Sequence, residues 1–168
     1  MLYAPLQPLR RLLVLGGGLD ALPVVNMASE LGWRVTIADH RPAYLEKGVF
    51  SAAEQALLID PARMSREVDP SAFDAIIVMS HHLLTDQTYL AQLADIEVSY
   101  IGVLGPRARR DRLLGALGSA GDALRDRLRG PVGIDIGADA PESIALSLLA
   151  EIHATLAGRS GEGLTNKP

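Results

Sequence analysis

The run Leu12-Leu13-Val14-Leu15 contains no polar residue and stops on Gly16-Gly17-Gly18. No other feature constrains the fold as strongly. A short unbroken apolar segment fits a strand covered on both faces, and glycines let the chain turn sharply and approach other groups closely. Apolar residues then recur at Leu22, Val25, Met27, Ala28 and Leu31 and close on Gly32, which is helical spacing. Pro23 falls in the first turn, where proline is tolerated. A strand that passes through a glycine turn into a helix is the opening unit of a parallel α/β sheet.

The same alternation continues to the end of the chain. Trp33–Ala38 reads as a second strand ending at Asp39, Ala56–Ile59 as a third and Ala75–Met79 as a fourth, with a helical pattern over Leu83–Leu93. Val98–Val103 reads as a fifth strand, and Pro106–Leu117 as a helix whose apolar face carries Leu113, Leu114 and Leu117. Beyond it the pattern predicts a polar helix around Asp122–Leu128, a short strand at Val132–Ile136, and a helix from Pro141 to about Ala157. Ile144, Leu148, Ile152 and Leu156 give that last helix one buried stripe. The expected architecture is a doubly wound, Rossmann-like α/β domain: a mostly parallel sheet in three α/β/α layers over residues 11–157. A linker-like arm (1–10) precedes it and a disordered tail (158–168) follows.

With 168 residues there is room for one domain. The 20 acidic residues against 16 basic ones give a net charge of −4, poor footing for nucleic-acid binding. The absence of cysteine excludes disulfides, thiolate metal ligands and a cysteine nucleophile within this sequence. No apolar run approaches the ~18–20 residues of a membrane span, and a cytoplasmic location is expected.

Gly16–Ala21 reads G-x-G-x-x-A, and Asp39 lies 21 residues beyond Gly18 at the end of the next strand. In that setting Gly16, Gly17 and Gly18 let unpaired amides meet a phosphate while the acid accepts from a ribose hydroxyl. Arg41 is placed to reach a 2′-phosphate, and His81 or His82 to serve in proton transfer, which would make the chain an NAD(P)-dependent oxidoreductase. Asp20, in the same turn, can instead satisfy the amides itself. Both readings stand at this point, as does a third, in which the chain is an interaction or dimerisation module.

Ser80-His81-His82-Leu83-Leu84-Thr85-Asp86 follows the fourth strand, at the sheet edge where ligands bind in open α/β folds, so His81 and Asp86 are candidates. Gly105 is followed by Arg107, Arg109, Arg110 and Arg112. Four guanidinium groups in a first helical turn oppose the helix dipole, which invites a compensating anion. In Gly130–Ala138, Asp135 is a candidate to bond neighbouring backbone amides.

Together these stretches resemble the Rossmann-type C-terminal domain of the XdhC/CoxI family, the xanthine dehydrogenase accessory factors, over about Pro8 to Ala157. The most specific parts are Tyr100-Ile-Gly-Val-Leu-Gly with the arginines, and Pro131-Val-Gly-Ile-Asp-Ile-Gly-Ala with Pro141-Glu-Ser-Ile-Ala. Asp39-His40-Arg41-Pro42 and Ser80-His81…Asp86 match in order. Leu19 and Asp20 depart from the family's G-A-G-H-V turn, Pro106 stands where serine is common, and Ala140 where threonine would cap the helix. The resemblance implies a maturation factor that binds molybdenum cofactor (molybdopterin) and helps insert it into the apo-enzyme of a molybdenum hydroxylase of the xanthine or carbon monoxide dehydrogenase type. It implies further partners: a cysteine desulfurase and a separate, cysteine-bearing XdhC N-terminal-type domain. A homodimer is also expected. Gly16–Gly18 and the Arg107–Arg110 turn would hold the phosphate end; Asp39, His81 and Asp86 would contact the pterin or sugar.

Overall fold

Six parallel strands form one sheet in the order β3-β2-β1-β4-β5-β6. They are β1 (Arg11–Leu15), β2 (Arg34–Asp39), β3 (Gln55–Leu58), β4 (Ala75–Val78), β5 (Tyr100–Val103) and β6 (Leu128–Arg129). The computed structural model describes residues 9–48 and 50–166. Chain order reverses between β1 and β4, the arrangement of a doubly wound fold, so the expected architecture is met. The seven α-helices among the described residues are α1 (Ala21–Glu30), α2 (Pro42–Gly48), α3 (Met64–Glu67), α4 (Leu83–Leu93), α5 (Arg107–Ala116), α6 (Ser119–Leu124) and α7 (Pro141–Leu156).

The unbroken apolar run of β1 is explained by its two faces. Leu13 and Leu15 enter one core with residues of α4, α5 and α6, whereas Leu12 and Val14 enter a second core with α1 and α7. All four are fully buried, so truncating any of the three leucines to Ala costs about 2–5 kcal/mol of stability. In α1 the buried residues are Ala21, Val24, Val25 and Ala28, while Leu31, read from the sequence as part of the stripe, is 53% exposed. In α7 the expected stripe is present: Leu148 and Ile152 are completely buried, and Ile144 and Leu156 partly so.

Two sequence expectations need correction. The sixth strand is Leu128–Arg129 rather than Val132–Ile136, because Pro131 has no N–H to continue the ladder. The polar helix lies at Ser119–Leu124, earlier than Asp122–Leu128. Residues 158–168, expected as a disordered tail, are described through residue 166. A side-chain carbon at Gly161 would lie 3.5 Å from Ile134 and 3.7 Å from Ala154, and Leu164–Asn166 closes in a 3-10 turn. Of the expected arm, residues 1–8 lie outside the described residues. Arg10 donates to the His153 carbonyl and sits 5.6 Å from the Trp33 ring centre.

Candidate functional site

The reversal between β1 and β4 brings two turns together at the carboxyl edge of the sheet: Gly16–Asp20 after β1 and Ser80–His82 after β4. Gly16 has φ +128°, and a Cβ there would lie 2.5 Å from the Met79 backbone, so only glycine allows β1 to pass β4 at this point. A cavity of about 500 Å³ opens beside the turn, lined by Gly17, Gly18, Leu19, Asp20, Tyr44 and His81, with Ala43 completing it. Leu19 and Tyr44 are exposed at its mouth.

Asp20 does not cap α1: its backbone is helical and its side chain bonds no amide of the first turn. Its carboxylate folds over Gly18, with Oδ1 2.7 Å from where a Cβ would stand, and Oδ2 meets His81 Nε2 at 2.6 Å. The Asp20 hydrogen bond raises the His81 pKa above its ordinary value, with burial opposing. His81 adopts φ +63°, a left-handed conformation rare outside glycine, which points to a side chain held by its surroundings. Within the turn, Gly16 N donates to the Ala38 carbonyl and Gly17 N to Asp39 Oδ2.

Asp39 was expected to face a ribose hydroxyl. In the structure the carboxylate is wholly buried and both oxygens already accept hydrogen bonds. Oδ2 accepts from Gly17 N at 2.7 Å and Arg41 Nη2 at 2.8 Å; Oδ1 accepts from Arg41 N at 2.8 Å and Arg41 Nε at 2.9 Å. Burial pushes the Asp39 pKa up, but the Arg41 guanidinium and the two amides outweigh it and hold the group below its ordinary value. Arg41, expected to reach a 2′-phosphate, is thus committed to Asp39 and lies 3.7 Å from the Tyr44 ring centre. Asp39 therefore clamps the glycine turn.

Asp86 was expected to touch a ligand, and it too is internal. It is buried on α4, accepts from Ser80 N and Ser80 Oγ through Oδ1, and pairs with Arg109 Nη2 through Oδ2 at 2.6 Å. Arg41 Nη2 also reaches the Ser80 carbonyl at 3.3 Å. One polar network therefore runs from Arg109 through Asp86, Ser80, Arg41 and Asp39 to Gly17, joining the turns after β1, β2, β4 and β5. Beneath it the fully buried Tyr89 hydroxyl has no partner among the described residues, and burial drives its pKa upward. His82 caps α4, its Nδ1 accepting from Thr85 N at 3.4 Å.

The arginine turn after β5 departs from expectation in the same direction. Gly105 has φ +131°, but the Arg109 chain folds over it, with Cδ 2.6 Å from where a Cβ would stand. Arg110 donates to the carbonyls of Leu128 and Arg125, tying α5 to β6. Arg107 is exposed on α5. Asp135 is exposed, and the bonds that shape its loop run elsewhere: Gly133 N donates to Glu151 and Ser147 Oγ to the Ile134 carbonyl. Of the predicted residues, the structure gathers Gly16, Gly17, Gly18, Asp39 and His81 at the first turn, with Asp86 and Arg109 behind His81. Tyr44 is the addition that sequence reasoning did not place in the site, and Asp20, read as satisfying the turn's own amides, pairs instead with His81. No group of acidic and histidine side chains that could hold a metal ion occurs among the described residues.

Residues 12–152 match the XdhC Rossmann domain. The chain belongs to the XdhC family. Over 92% of its own length it is 37% identical to a probable xanthine dehydrogenase subunit from Bacillus subtilis strain 168. It is 29% identical, over 94% of its length, to an uncharacterized Escherichia coli K12 protein, YqeB. It spans 46% and 29% of those proteins, half their length or less. A crystal structure of a xanthine dehydrogenase from Bacillus halodurans superposes with a TM-score of 0.81 at 33% identity, over 96% of this chain and 46% of that one. A short-chain oxidoreductase from Burkholderia thailandensis, 15% identical, aligns over 92% of this chain and 90% of its own with a TM-score of 0.60, a likeness of fold alone. The XdhC domain contains no helix, among the described residues, long and apolar enough to cross a membrane.

Proposed function

We propose that this XdhC domain is the phosphate-binding half of a maturation factor that carries molybdenum cofactor to a molybdenum hydroxylase. The observation that supports this reading most is the open cavity beside Gly18, Leu19 and His81 at the topological switch point, the place where open α/β sheets hold their ligands. The amides of Gly18 and Leu19 at the start of α1 and a His81 imidazole biased toward its charged form suit one anionic group, and Tyr44 gives the cavity an aromatic wall for a pterin. Because Asp20 already occupies His81, an incoming phosphate must displace a carboxylate, and His81 would exchange Asp20 for the ligand.

An Asp39 whose carboxylate already accepts four hydrogen bonds favours this reading over the NAD(P) one, which needs that acid for a ribose hydroxyl. A thiolate contact to the cargo's molybdenum would come from outside these 168 residues, which contain no cysteine. A cysteine-bearing XdhC N-terminal-type domain and a cysteine desulfurase are the partners that fit. In the test, an apo-molybdenum hydroxylase is incubated with molybdenum cofactor with and without this chain and its companion domain. Activation should require the chain and fall at least tenfold with His81→Ala; activation independent of the chain would refute the role.

A further inference from the structure

The charges around the cavity beside His81 balance, and that balance limits what can enter it. Arg41 is paired with buried Asp39 behind Gly17, and Arg109 with buried Asp86 behind His81. The wall itself carries one imidazole, His81, against one carboxylate, Asp20, which meet at 2.6 Å. Tyr44 closes it from α2, with Arg41 against its ring, and among the described residues no arginine or lysine lines it. Asp20 also stays close when His81 changes partner, because its backbone leads directly into α1 and its Oδ1 lies over Gly18. An anion that takes His81 therefore has a carboxylate beside it. A bare anion meets that carboxylate as a like charge, whereas an anion with an acidic proton can donate it and form a charge-assisted hydrogen bond.

We propose that Asp20 selects an anion that brings its own proton: a terminal phosphomonoester, held in its singly protonated form. The inference rests on the reading of this cavity as the phosphate site and adds which phosphate it takes. His81 Nε2 donates to one phosphate oxygen, and the phosphate O–H donates to the Asp20 carboxylate, so the acceptor that His81 releases gains a new donor. Phosphodiesters and sulfate have no proton to offer near neutral pH and are rejected by the same carboxylate, so the selectivity comes from repulsion as much as from attraction. A phosphomonoester loses its second proton near pH 6, so about a tenth of it is singly protonated at pH 7 and binding weakens as pH rises. His81 loses its charge in the same direction, with Asp20 and Asp86 favouring the charged imidazole and Arg109 opposing it. Two anions compared at one pH separate the role of Asp20 from that of His81.

Inorganic phosphate and sulfate, titrated separately into the full chain at pH 7 and constant ionic strength and followed through the His81 ring resonance by NMR, test it. At that pH phosphate keeps a proton and sulfate has none. The unaltered chain should bind phosphate about tenfold or more tightly than sulfate, and Asp20→Ala should abolish that preference. The ratio of the two affinities cancels any change in His81 charge that the substitution brings, and unmoved resonances of the other histidines report an intact fold. Asp20→Asn, whose amide can donate to a bare anion, should move the ratio furthest toward sulfate. Equal binding of the two anions by the unaltered chain, a phosphate preference that survives Asp20→Ala, or binding only once Asp20 is removed would overturn the selection and leave the anion site standing. Binding of neither anion, to the unaltered chain or to Asp20→Ala, would overturn the phosphate reading with it.

Discussion

Two glycine turns of this sheet share one backbone geometry and differ in what lies over them. Gly16 after β1 and Gly105 after β5 both adopt φ near +130° and both lead into a helix. Over Gly105 the chain lays its own Arg109, which pairs with buried Asp86 and closes the turn. Over the first turn it lays Asp20, which among the described residues is held by His81 alone and borders an open cavity. The contrast teaches that glycines and charges at a helix start do not define an anion site; it matters whether the nearby side chains are already committed. Arg109 is committed to a charge that cannot be left alone, whereas Asp20 and His81 remain in reach of solvent and can exchange partners.

Removing the cover of the closed turn should produce the largest effect. Arg109→Ala strands the buried Asp86 carboxylate without its cation, and unfolding by urea should show a loss of about 3–5 kcal/mol. The two glycines should then separate. Gly16→Ala drives a Cβ into the Met79 backbone and should cost about 3 kcal/mol or more. Gly105→Ala meets a side chain, Arg109, rather than backbone and should cost less, about 1–2 kcal/mol of backbone strain. Equal losses for the two would break the comparison.

The open turn should titrate. Because the folded His81 pKa is raised, the stabilisation from its pairing with Asp20 is fully present below the ordinary histidine value and is lost as pH rises through the higher, folded pKa. NMR titration of His81 should give a midpoint above 6.5 that falls in Asp20→Asn. A midpoint unmoved by that substitution would show the pair to be inconsequential. Asp39 works in the opposite sense: its folded pKa is depressed, so its contribution is present above the ordinary carboxylate range and is lost as pH falls through the folded pKa. The smallest effect belongs to exposed Arg107, where Arg107→Ala should change stability by less than about 0.5 kcal/mol.

Much of the fold was legible because it rests on local patterns. Leu83–Leu93 is helical as the spacing predicts, and the apolar runs of β1 and β4 are strands buried on both faces. Elements with little local signal were missed or misplaced. α2 follows directly on Asp39-His40-Arg41 and has no apolar stripe to announce it, and β6 is two residues long, set by pairing with Ile101 and Gly102 rather than by its own pattern. For the site, the glycine turn could be read, because glycine's freedom is itself a sequence property. The roles of Asp39, Asp86 and Arg109 could not, since each depends on which neighbour claims the charge. Asp20 and His81 are 61 residues apart, and only the adjacency of β1 and β4 makes them partners. That adjacency was available from the doubly wound order and would have paired the two turns.

Equilibrium binding of purified molybdenum cofactor to the chain tests the central claim most directly, with His81→Ala and Arg107→Ala as the paired variants. Saturable uptake of one cofactor per chain is predicted, weakened about tenfold or more in His81→Ala and unchanged in Arg107→Ala. No uptake by the unaltered chain, or uptake that His81→Ala leaves intact, would contradict the assignment of the cofactor to the open turn.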